Sequence, residues 1–301
     1  MEENSTNITE LFKKVGAQTL LLQWFEEQGR TLTQLNDWTF MFDWKTDEGN
    51  TELLGIEASD YNNFVELYNY GWHEVSIWDA EAVEELKDKI NIFNQCSTFK
   101  YVYMLEDDDS IQVGMKIHFP LCEEIPDMQK YLKKQFDDFV NYLDYFNSYG
   151  IPCHDIIDFT LPKSNLDMVL YSLEKIQCEP KVENLGYQRF VVIFEFQAEI
   201  FEFYIETWKK AVNLYDRGVY WYRKEETDKH EVVREVINNI NDFSTVTLYY
   251  EEIGDRVYVR SRFLLHCVEE RVFWVMLGEI LLEFFDVRYR FYRMLAKESK
   301  I

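Results

Sequence analysis

The sequence contains no phosphate-binding GxxxxGK[ST] loop, no GxGxxG, no GxSxG and no HExxH. These absences remove the common signatures of nucleotide, dinucleotide, serine-hydrolase and zinc-protease chemistry, and no cofactor is expected. Basic residues are scarce: 31 Lys and Arg stand against 55 Asp and Glu, for a net charge of −24. Such a field repels phosphate backbones and anionic bilayers, so neither nucleic acid nor membrane is an expected partner, whereas a basic protein is. The five cysteines are irregularly spaced and form no CxxC, which fits a reducing compartment better than a disulfide framework. The N-terminus lacks the basic-then-apolar pattern of a signal peptide, and the expected location is the cytoplasm. The most apolar stretch, residues 263–285, carries Glu269, Glu270, Arg271, Glu279 and Glu283, too many charges for a membrane span.

What is present is core material. The 301 residues are 47% hydrophobic and 17% aromatic, enough for one large domain or two of ordinary size. An internal repeat favours two. NIFNQCSTFKYVY (residues 91–103) aligns with NNINDFSTVTLYY (residues 238–250) at one constant offset, which carries Asn91 onto Asn238, Asn94 onto Asn241, Ser97 onto Ser244 and Thr98 onto Thr245. In the same register VELYNYG (residues 65–71) meets VNLYDRG (residues 212–218). Downstream one residue drops out, and Val113 then meets Val259 and Phe139 meets Phe285. The expected domains are residues 1–150 and 151–301, joined by a connector over 148–163 that holds Gly150, Pro152 and Pro162.

Four consecutive acids, Glu106 to Asp109, precede an alternating run. The second copy has Glu-Ile-Gly-Asp there, and Gly-Asp between alternating runs is turn chemistry. A calcium loop would need spaced oxygen ligands, a mid-loop Gly and a distal Glu. The acidic run therefore reads as a hairpin turn and not as a metal site. Periodicity predicts, for copy one, a helix at 8–28, strands at 38–44 and 51–58, a short helical turn at 60–70 and a strand at 73–78. A helix at 81–93, a hairpin of 99–105 with 111–119 and a helix at 125–146 follow. Copy two repeats the order: helix 166–176, strands 190–196 and 201–205, short helix 209–215, strand 219–223, helix 230–239, hairpin 245–251 with 256–265, helix 268–295. Each copy thus reads αβββαββα, an α+β unit in which an antiparallel sheet packs with helices on one side.

This order of elements, the acidic turn in MLEDDDSIQVGMKIHFPL and the long helix after it resemble the YbjN-like family, which is similar in fold to type III secretion chaperones. The resemblance covers both copies, most clearly residues 81–146 and 230–292. It departs in the extra turn at 60–70 and in the tandem arrangement. It implies a non-catalytic module. Secretion chaperones are acidic and dimeric and hold unfolded segments of client proteins. Two fused copies would build the pair inside one chain, so the expected state is a monomer with an internal pseudo-twofold; a homodimer is the alternative.

Candidate chemistry is sparse. Two histidines adjoin a cysteine, in Cys153-His154 and His266-Cys267; adjacent Cys and His do not readily face one metal, and these read as unrelated residues. The open sheet face is the candidate partner-binding surface: Tyr258, Arg260 and Arg262 in copy two, Lys116 and His118 in copy one. Cations beside an aromatic in an acidic protein suit an anionic or aromatic segment. The competing reading pairs them with neighbouring acids such as Glu251 and Glu252, and leaves His118 solvated. Tyr61, Phe64, Tyr68, Tyr70 and Trp72 form a second cluster, expected to be mostly core, and any member left exposed would mark a groove. The leading expectation is a module that holds a segment of a client protein. An acidic inhibitor or immunity-like protein masking a basic partner, and an enzyme of unrecognised type, are the alternatives.

Overall fold

The computed structural model describes residues 15–143 apart from 48, 62, 107 and 108, together with residue 146 and residues 164–298. The expected connector, the 150/151 domain boundary, the Cys153-His154 pair and residues 8–14 of the first expected helix lie outside the described residues. The first half runs α1 (Ala17–Glu27), β1 (Thr33–Gln34), β2 (Thr39–Lys45), β3 (Thr51–Glu57), β4 (Phe64–Ser76), α2 (Ala80–Cys96), β5 (Lys100–Glu106), β6 (Ser110–Pro120) and α3 (Met128–Leu143). The second runs α4 (Asn165–Lys175), β7 (Lys181–Gly186), β8 (Arg189–Phe196), β9 (Glu199–Glu206), β10 (Ala211–Arg223), α5 (Thr227–Phe243), β11 (Thr247–Ile253), β12 (Arg256–His266) and α6 (Glu270–Glu298). Each half holds one six-stranded antiparallel sheet. The orders are β1-β2-β3-β4-β6-β5 and β7-β8-β9-β10-β12-β11, the same topology twice. The protein is an α+β fold in two similar halves.

Local chemistry sets the boundaries. Asp79 caps α2 by accepting from the Ala82 amide at 3.1 Å, and Ser164 caps α4 by accepting from the Asp167 amide at 3.2 Å; each satisfies a helix-end donor that has no partner within the helix. The strands flanking the acidic run pair as a hairpin, as expected. Leu105 pairs with Ile111 and Glu106 with Ser110, and the Asp109 amide donates to the Glu106 carbonyl; residues 107 and 108 lie outside the described residues.

Where short helices are expected at 60–70 and 209–215, the chain is strand from Phe64 and from Ala211 onward. Val65, Leu67 and Asn69 are buried while Glu66, Tyr68 and Tyr70 face the other way, a period of two. Gly71 imitates a helix stop, but it lies inside β4. There the register against β6 slips between Tyr70 and Glu74, and Gly71 takes φ +79°, which glycine adopts without steric cost. The twin irregularity falls between Asp216 and Tyr220 of β10. What reads as helix-then-strand in each copy is one long, bulged strand. Helices α1 and α3 cover one face of the first sheet through an aromatic cluster: Phe25 and Phe42 lie 4.7 Å apart, Trp44 and Phe136 5.0 Å, mostly edge to face. In the second half Phe284 of α6 meets Phe201 at 5.5 Å. Helix α6 also packs against α4 and α5, which accounts for its apolar residues on more than one side.

The halves meet reciprocally. Asn238 of α5 accepts from the Tyr103 amide (2.9 Å) and donates to the Tyr103 carbonyl (2.7 Å). Its twin Asn91 of α2 does the same to Tyr250 (2.9 and 3.0 Å). Asn94 and Asn241 clasp Tyr101 and Leu248 of their own halves in the same way. Lys87 pairs with Glu231 and Glu235, and its twin Arg234 with Glu84. The Tyr103 hydroxyl donates to Glu235, and that of its twin Tyr250 to Asp88. Residue i meeting j′ while j meets i′ is the mark of an isologous interface. The two edge strands β5 and β11 therefore have backbone groups occupied by asparagine amides, which blocks further strand addition there. Asn91→Ala leaves the buried Tyr250 amide without its acceptor, and unfolding should become easier by about 2 kcal/mol, measured by urea titration.

Candidate functional site

Strand β6 turns Lys116 and His118 away from α3, and β12 turns Arg260 and Arg262 to the corresponding face. The structure corrects the expectation that this face is open. Lys116 and Arg262 are buried because the other half covers them. Lys116 donates to the Asp242 carbonyl in the last turn of α5 and pairs with the Asp242 (3.1 Å) and Glu66 (3.2 Å) carboxylates. Arg262 donates from Nε to the Asn94 carbonyl (2.6 Å) and from Nη2 to the Ser97 carbonyl, both at the end of α2. Lys100 donates to the Ser244 carbonyl just beyond α5. Each half thus sends cations onto the C-terminal carbonyls of the other half's middle helix, where the helix dipole is negative. In this structure these side chains are committed inward, and the partner they grip is the twin half. Only Tyr258 and Arg260 stay at the rim; both are half-buried, and Arg260 pairs with Glu251 at 2.9 Å, the acid partner named in the competing reading.

His118 is not solvated either. Its Nε2 lies 2.8 Å from Glu66 Oε2. Burial pushes the imidazole below its ordinary pKa despite Glu66. Burial also works against the Glu66 charge, but His118, Lys116 and Lys100 outweigh it and hold the carboxyl down at about 2. At neutral pH the pair is a neutral ring donating to a carboxylate. Burial opposes the Lys116 charge too, and Glu66, Tyr70 and Asp242 outweigh it, raising its pKa above the lysine norm. At Lys100 burial outweighs the support of Glu66, Glu283 and Asp242, and pushes the pKa down to about 7.

Beside this ionic cluster lies a groove of about 480 Å³ lined by Trp38, Glu57, Tyr61, Phe64, Glu66, His118 and Phe243. Tyr61, 96% exposed, is the member of the sequence-predicted aromatic cluster that marks it. Trp38 (50%) and Phe243 (51%) are also exposed, and neither stands out in sequence. The smaller cavity between the halves, around Lys100 and Arg262, has about 20 Å³, room for one water.

Glu57 and Glu66 stand directly opposite each other on β3 and β4, and Glu66 opposite His118 on β6. The same row in the second half is Tyr204, Asn213 and Leu264. Like charges face to face across strands destabilise a sheet, and the twin folds without them. Partial burial and the neighbouring Glu66 raise the Glu57 pKa. Among the described residues no lysine or arginine forms an ion pair with Glu57; the Thr39 hydroxyl donates to it at 3.4 Å.

The other chemical candidates resolve into core. His266 is buried and meets the Tyr131 hydroxyl at 3.2 Å; burial holds its pKa down at about 3. Burial raises the Cys267 thiol. Among the described residues no three His, Cys, Asp or Glu side chains are grouped to hold a metal, and no helix is long and apolar enough to cross a membrane. Compared with known proteins, the chain matches no family model, no curated protein and no solved structure.

Proposed function

We propose that this protein is a non-catalytic, chaperone-like binding module that holds a segment of a client protein in the groove beside the first sheet. The observation that carries the reading is three exposed aromatics, Trp38, Tyr61 and Phe243, lining a groove of about 480 Å³ in a chain of net charge −24. Exposed apolar surface of this kind is costly on a surface unless something covers it, and aromatic anchors carry much of the energy in protein recognition. The grouping of exposed rings with carboxylates suits binding. The resemblance read from the sequence to YbjN-like proteins and secretion chaperones implies a module of the same kind. Among the described residues Cys122, Cys178 and Cys267 are buried and form no disulfide, which fits a cytoplasmic setting.

A photo-crosslinking amino acid placed at Tyr61 in the native cell tests the reading, with Tyr187, also exposed, as control position. The expected result is a discrete protein adduct from position 61 alone, mapping by mass spectrometry to an extended segment. An adduct on the surface of a folded basic protein would favour the inhibitor reading. Equal adducts from both positions, or none from 61, would overturn the proposal.

A further inference from the structure

We infer that the groove seats a basic side chain, lysine or arginine, of the bound segment, with its cation at Glu57 and Glu66 and its apolar stem along Trp38 and Tyr61. The inference rests on the segment-holding reading and adds the chemistry of the anchor.

Three observations carry it. The first is the carboxylate pair itself. Glu57 and Glu66 oppose each other across adjacent strands, an arrangement that costs stability in the free protein. The second half has Tyr204 and Asn213 at the same register, so neither the sheet nor the packing of the halves requires two acids. Lys116 and His118 already engage Glu66, so a cation brought beside the pair chiefly offsets the Glu57 charge and gains a second, longer-range attraction to Glu66. The second is the balance of charge. Glu57, Glu66 and Asp242 meet Lys116, with Lys100 behind it and His118 held neutral by burial. Lys116 lies on the Glu66 and Asp242 side, which leaves Glu57 without an ion-pair partner among the described residues. The third is the lining. Aromatic faces attract cations and also cover the methylenes of a lysine or arginine stem. The groove volume of about 480 Å³ leaves space for residues flanking the anchor, and the acidic field of the whole protein would speed the approach of a basic segment.

The test uses the full chain and four short synthetic peptides with the same apolar flanks, differing only at the centre: lysine, arginine, norleucine or glutamate. Binding is read by fluorescence anisotropy at low and at physiological salt. The lysine or arginine peptide should bind about tenfold tighter than norleucine, and glutamate weakest of all. Which cation wins assigns the anchor. Glu57→Gln should remove most of the lysine–norleucine gap; Glu57 is at the surface, and a thermal melt confirms that the variant folds. Trp38→Ala should weaken the apolar and basic peptides alike. If norleucine equals lysine while Trp38→Ala weakens both, the cationic anchor is refuted and the segment-holding reading stands. If no peptide binds, or Glu57→Gln leaves the gap unchanged, the anchor is refuted as well, and the Tyr61 crosslink decides the broader reading separately.

Discussion

Arg262→Ala should destabilise the protein by about 4 kcal/mol, the largest single-residue loss predicted for the contact between the halves. Arg262 is 4% exposed, and its guanidinium satisfies the Asn94 and Ser97 carbonyls, both on buried residues. Truncation leaves both acceptors dry and opens a cavity where the side chain lay. Each orphaned acceptor costs about 1–3 kcal/mol, and the cavity adds to that. Arg262→Lys keeps the charge and one donor group, as Lys116 does at the equivalent place. Its loss should be about half as large. Urea titrations read both effects as shifts of midpoint at unchanged slope. A loss under about 1 kcal/mol for Arg262→Ala would mean that this contact contributes little.

Stability should climb between about pH 7 and pH 10, and Lys100→Met should flatten the climb. An unfolded lysine titrates near 10.5, whereas burial lowers Lys100 to about 7 in the folded chain. Between those values the unfolded chain keeps a proton that the folded chain has released, so raising the pH favours folding. The gap is worth roughly 5 kcal/mol at about 1.4 kcal/mol per pH unit. Below pH 7 the full penalty of charging a buried lysine is present. Other groups oppose the climb: burial raises Cys267, Tyr101 and Tyr103, so the folded chain resists ionisations that the unfolded chain undergoes at high pH. The Lys100 effect is therefore read as the difference in slope between wild type and Lys100→Met. Losing the hydrogen bond to the Ser244 carbonyl shifts the variant's curve at every pH alike and leaves that difference intact. Parallel curves would show that Lys100 titrates as an ordinary lysine.

The repeat was legible because residues that clasp strand backbones, across the halves or within one, kept their identity. Asn91, Asn94, Asn238 and Asn241 align in sequence, and in the structure they clasp strand backbones in matching fashion. Their role was not legible, since an Asn-x-x-Asn spacing names a helix face and not what lies opposite. The hairpins could be read from alternation. The bulged strands β4 and β10 could not, because a glycine in the middle of a strand and one after a helix look alike in sequence. The site shows the same divide. Strand period correctly put Lys116 and Arg262 opposite the helices, but period does not say whether solvent or a second domain covers that face. Phe243 lies far along the chain from Trp38, Glu57 and Tyr61, and only folding brings it to their groove. One signal was within reach: aligned on the repeat, Glu57, Glu66 and His118 fall on Tyr204, Asn213 and Leu264, a cluster of ionisable groups in one copy alone.

The reciprocal clasp between the halves joins two parts of a single polypeptide. A pair built from separate subunits dissociates when it is diluted, because its association depends on how much protein is present. A tethered pair experiences a fixed local concentration of its mate, set by the linker. The contact between the halves should hold at any expression level, and either half can diverge in sequence without forcing the same change on its twin.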